Sequence, residues 1–65
     1  MTYFANYQLS YYGWFGQRFA RKAAAIKWLK ARVAEHRIAD DRGVGKCTAY
    51  YVRRDPDETL IPLSF

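Results

Sequence analysis

The single cysteine, Cys47, is the feature that most restricts what this 65-residue chain can become. One thiol forms no internal disulfide and offers zinc no cluster of thiolates. A domain of this length buries only about 60% of the surface that its unfolded chain exposes. Without a staple, the core has to be assembled from large side chains. Two Trp, six Tyr and four Phe, 18% of the chain, supply them, so each aromatic counts as core before it counts as a ligand contact. That apolar content also excludes a disordered basic tail, although the net charge is +5.

The charge is unevenly distributed. Residues 1–16 carry no charged side chain, and residues 17–38 carry seven Lys and Arg against Glu35 alone. Residues 39–65 are close to balanced, with four basic and five acidic groups. No repeat, linker or low-complexity tract divides the chain, and one domain is expected. No apolar run reaches the ~20 residues that span a bilayer. The start, MTYFANYQLS, has neither the basic region nor the apolar stretch of a signal peptide. A reducing cytoplasm without membrane attachment is the expected setting.

Hydrophobic periodicity predicts an α+β domain of β-α-β-β order. In a first strand, about residues 3–12, Tyr3, Ala5, Tyr7, Leu9 and Tyr11 alternate with Phe4, Asn6, Gln8, Ser10 and Tyr12. A helix is predicted over about 16–38, a stretch rich in Ala, Lys, Arg and Leu with no Gly or Pro after Gly16. Phe15, Phe19, Ile26, Leu29 and Val33 form its apolar stripe. DDRGVG then supplies a turn, with positive φ expected at Gly43 and Gly45. Strands at about 47–54 and 59–65 complete a three-stranded sheet with the helix packed on one face. Ile61, Leu63 and Phe65 point inward, and Pro62 implies an edge.

Catalytic patterns are weak. His36 is the only histidine, so no pair or triad of histidines exists, and a Cys47–His36 pair needs a tertiary contact. The acids sit in two turns at opposite ends of one strand. GVGKCT lacks the first glycine of a phosphate loop, Asp40 standing there, and precedes a strand where that loop opens a helix. Arg53, Arg54, Tyr50 and Tyr51 supply the residue types of a histidine-free ribonuclease without any signature spacing. No enzyme, cofactor or metal is expected.

Contact surfaces are better marked. On a helical wheel Trp28 lies about 160° from the centre of the apolar stripe, on the side of Arg21 and Arg32, with Arg18 further round. A tryptophan ringed by arginines is an interface hot-spot composition, and it also suits nucleic acid. Packing against the rest of the fold, helped by Ala20, Ala24 and Ala31, is the competing role for Trp28. The sheet face away from the helix is a second candidate, presenting tyrosines with Arg53 or Arg54. The expected partner-binding residues are thus Arg18, Arg21, Trp28, Arg32, Arg53 and Arg54, on a monomer or weak homodimer.

In size, aromatic content and β-α-β-β plan, the whole chain resembles the very small proteins of phages and mobile elements, in particular anti-CRISPR inhibitors. The likeness carries over no residue. It implies stoichiometric binding to a Cas protein or Cas–RNA surveillance complex, of a type I system, in a bacterial host cytoplasm. Target DNA binding or nuclease recruitment would then be blocked. Many such inhibitors are acidic DNA mimics, whereas this chain is basic. The alternative expectation is a small basic nucleic-acid-binding protein, without membrane contact.

Overall fold

The computed structural model describes all residues, 1–65. Five elements follow one another: β1 (Thr2–Leu9), β2 (Gly13–Phe19), α1 (Lys22–Glu35), β3 (Cys47–Asp55) and β4 (Thr59–Leu60). The α+β class and the single helix on one face of the sheet agree with the sequence, and every strand pair is antiparallel. The sheet, however, has four strands, ordered β2-β1-β3-β4, rather than three.

The additional strand is β2, and it corrects the start of the helix. Gly13–Phe19 pairs with β1 over seven positions, from Leu9↔Gly13 to Tyr3↔Phe19. The turn before it has φ 77° at Tyr11, its third residue, and Tyr12 N–H donates to Leu9 C=O at 3.2 Å. A positive third residue is the mark of a type II turn, which returns the chain on itself. Phe15 and Phe19 are therefore spaced by the strand period and not by the helix period, and both belong to β2. Helical geometry begins only after Arg21, whose side chain makes no capping hydrogen bond.

β1 is a central strand, with β2 on one side and β3 on the other. Of the alternating set Tyr3, Ala5, Tyr7, Leu9 and Tyr11, Ala5 is fully buried and Tyr7 and Leu9 nearly so. The strand ends at Leu9, and Tyr11 is exposed in the turn beyond it. Ala25 and Leu29 of α1 and Val52 of β3 complete the fully buried core. A buried alanine in each layer, Ala5 in the sheet and Ala25 in the helix, leaves room for the helix to lie close, with Leu29 filling the core beside them. Around this centre Tyr7 collects rings. Phe15, Trp28 and His36 lie 5.8, 5.6 and 5.8 Å from it, centroid to centroid.

The last strand is also shorter than predicted. β4 pairs only through Arg54↔Thr59 and Arg53↔Leu60, and one more backbone bond runs from Ile61 N–H to Val52 C=O at 2.8 Å. Pro62 has no N–H to continue the ladder. Residues 61–65 leave the sheet edge and cross to the helix side, where Ile61, Leu63 and Phe65 pack on the core as expected. Tyr50 OH donates to Phe65 C=O at 2.6 Å, and the two rings stack at 5.4 Å. Between α1 and β3, Gly43 and Gly45 take the positive φ expected of them, 80° and 84°. The Asp40 carboxylate accepts from the N–H groups of Arg42 and Val44, which together hold it below the usual carboxylate range.

Candidate functional site

The strand register divides side chains between two faces. Tyr3, Ala5, Tyr7 and Leu9 share theirs with Phe15, Phe19, Tyr50 and Val52, beneath α1. The opposite face carries Phe4, Asn6 and Gln8 from β1, Trp14, Gly16 and Arg18 from β2, and Tyr51, Arg53 and Asp55 from β3. With the only helix and residues 61–65 both on the first face, no element covers the second.

Phe4 is the centre of this open face. It lies directly between Arg18 and Arg53 in the ladder. The two guanidinium carbons sit 6.0 and 5.4 Å from its ring centroid, within cation–π range. Arg53 also holds Asp55, with Nε to Oδ1 at 2.9 Å and the second nitrogen to Oδ2 at 3.5 Å. That bond to Asp55 raises the pKa of Arg53 above an ordinary arginine's. Arg18 makes no ion pair, so it is the free cation of the face.

A second pair of rings lies beside the first. Trp14 and Tyr51 meet edge to face with centroids 5.7 Å apart, and Asn6 Nδ2 donates to Tyr51 OH at 2.9 Å. Trp14 stays 49% exposed. Gly16 makes this arrangement possible. A Cβ placed there would fall 2.6 Å from Asn6 Oδ1 and 2.8 Å from Phe4 Cζ, so those side chains occupy the space a side chain at 16 would need.

The residues singled out from the sequence do not form one site. Arg18 and Arg53 come together on either side of Phe4. Arg54, next to Arg53 in the strand, faces the other way and is held by Asp57, with Nη2 to Oδ2 at 2.6 Å. Arg21 is the exposed N-cap of α1, and Arg32 pairs with Glu35 at 3.1 Å. Trp28 is half-buried, 5.6 Å from both Tyr7 and Phe19. Of the two roles open to Trp28, packing is the one it fills, and its outward position on the wheel is corrected. The wheel passed over Ala25 and centred the stripe on Ile26 and Val33; its true centre is Ala25 and Leu29, with Trp28 on its flank beside Phe19 of β2. Phe4, Trp14 and Gly16 were missed, since the open face is defined only once β2 is known to be a strand.

The Cys47–His36 approach does occur in the backbone, where Cys47 N–H donates to His36 C=O at 2.8 Å. The thiol itself lies 3.6 Å from Ala49 C=O, and burial raises its pKa, opposite to the shift that activates a nucleophile. His36 ends α1, Nδ1 bonding to Arg32 C=O at 2.9 Å while the ring stacks on Tyr7. No helix is long and apolar enough to cross a membrane. No protein-family model, curated protein or solved structure matches the chain.

Proposed function

We propose that this protein binds single-stranded nucleic acid on the open face of its sheet, without catalysis. The observation that supports this most is the set of three rings, Phe4, Trp14 and Tyr51, set among two arginines on a face that nothing covers. Unpaired bases stack on aromatic rings whatever their identity, and guanidinium groups reach phosphate or stack in turn. A face of this size has stacking positions for about two or three bases.

The charge arrangement gives the reading a quantitative edge. Single-strand binding loses about 0.7 in log K per log unit of salt for each phosphate neutralised. Arg18 is free and Arg53 is shared with Asp55, so a slope between about −0.7 and −1.4 is expected. The test is fluorescence anisotropy with short labelled DNA and RNA single strands. Trp14→Ala and Tyr51→Ala each weaken binding by about 1–3 kcal/mol. Binding that ignores both changes and vanishes with Lys27→Glu and Lys30→Glu would move the site to the helix and refute this reading.

The second reading is the inhibitor of a CRISPR–Cas protein or Cas–RNA complex. Trp28, packed inward, no longer serves as its anchor. The same open face supports it instead, because Trp, Tyr and Arg are the residues enriched at interface hot spots. It predicts capture of a protein from nuclease-treated host lysate and little loss of affinity between about 50 and 200 mM salt. Nucleic-acid binding predicts no such capture and an affinity that falls about three- to sevenfold over that range.

A further inference from the structure

The two edges of the sheet differ in how they are guarded. At one edge the two-residue β4, followed by Pro62, pairs only with Arg53 and Arg54. This leaves Cys47–Tyr51 of β3 as a shorter edge of five residues, beside which Phe65 packs on Tyr50. At the other, β2 runs for seven residues with an uninterrupted register to β1. It contains no proline and no lysine, and Arg18 is its one charged residue. Every residue of β2 between its two ends is exposed. Edge strands are ordinarily blunted by shortness, bulges, proline or charge, because their unpaired N–H and C=O groups accept a further strand. β2 has none of these devices beyond Arg18.

The side chains of β2 point to which strand fits. GWFGQRF is self-complementary about its central Gly16. A second copy laid antiparallel, with a two-fold axis at Gly16, sets Gly13 opposite Phe19, Phe15 opposite Gln17, and Trp14 opposite Arg18. The last of these is a cation–π pair on the open face, made twice by symmetry. Moving the axis to Arg18 opposes two like charges, and moving it to Gln17 leaves Trp14 outside the paired strand. From this we infer that the protein forms a symmetric homodimer by pairing β2 with β2 of a second copy, joining the two sheets into one of eight strands. The inference concerns the free protein; its Trp14–Arg18 pairs engage two side chains of the proposed binding face, so it is tested without nucleic acid.

Sedimentation velocity of nucleic-acid-free protein up to millimolar concentration tests it. A monomer–dimer equilibrium is expected, and Arg18→Glu raises its dissociation constant about tenfold, two symmetry-related pairs being lost together. A nitroxide on Gln17→Cys, in a Cys47→Ser background, reports the geometry without relying on that variant. The two labelled positions lie about 8 Å apart across the axis, so strong dipolar broadening is expected in the dimer. A protein that stays monomeric at millimolar concentration overturns the inference. So does a dimer with unbroadened labels, or one indifferent to Arg18→Glu.

Discussion

The two faces of β1 share one backbone and serve opposite ends. Its odd-numbered residues Ala5, Tyr7 and Leu9 are buried under α1, whereas Phe4, Asn6 and Gln8 stay half-buried on a face without a cover. On the covered side, small and large side chains interlock. On the open side the same strand aligns a phenyl ring between two guanidinium groups and an amide with a tyrosine hydroxyl. Aromatic residues occur on both. Under the helix they replace the disulfides that this chain lacks, and on the open face they remain accessible as stacking surface. Their number in the sequence therefore says little about binding; which face they occupy says a great deal.

The largest effect expected from that difference is on stability. Leu29→Ala removes a fully buried side chain and costs about 3 kcal/mol, read as a fall in the urea midpoint. The affinity of the molecules still folded for single-stranded nucleic acid stays unchanged; a lost affinity would mean that the two faces are not separable. A smaller effect is expected from Gly16→Ala. Its Cβ meets Phe4, Asn6 and also the Ala5 carbonyl oxygen at 2.9 Å, so the site is overpacked at a cost of about 1–3 kcal/mol. Here binding falls together with stability, because Phe4 is displaced from between the arginines. The smallest effect is a gain. Arg21→Asp supplies the missing cap and a negative charge at the positive end of the helix dipole, adding about 1 kcal/mol. It reverses a charge away from the open face, so salt-dependent binding that collapses in this variant would assign recognition to the helix end.

Much of the fold was legible where one local signal had no competitor. The alternation along β1 put Ala5, Tyr7 and Leu9 on one face, the one the structure buries, and Gly43 and Gly45 marked their own turn by positive φ. The inward set Ile61, Leu63 and Phe65 was also readable, although Pro62 ended the ladder before it became a strand. β2 was not legible because Gln17–Phe19 continue into a run of helix formers, and pairing to β1 outweighs that propensity. Trp28 was misplaced for a separate reason: the wheel passed over Ala25, a small residue at the true centre of the buried stripe. The sheet face bearing Tyr51 and Arg53 was foreseen in outline. Phe4 and Trp14 were not, and Arg18, expected to bind from the helix, reaches that face only through the register between β1 and β2.

The register of the central pair bears on how the molecule assembles in time. β1 and β3 meet through pairs from Leu9↔Cys47 to Thr2↔Asp55, contacts between opposite ends of the chain. The β1–β2 hairpin and α1 are local and lose little chain entropy on closing. Neither buries the core until β3 arrives across the intervening loop, which costs entropy before any burial offsets it. Folding is therefore expected to be slower than for an all-helical chain of this length, with the hairpin and its row of Phe4, Gly16 and Arg18 laid down before the core closes behind them.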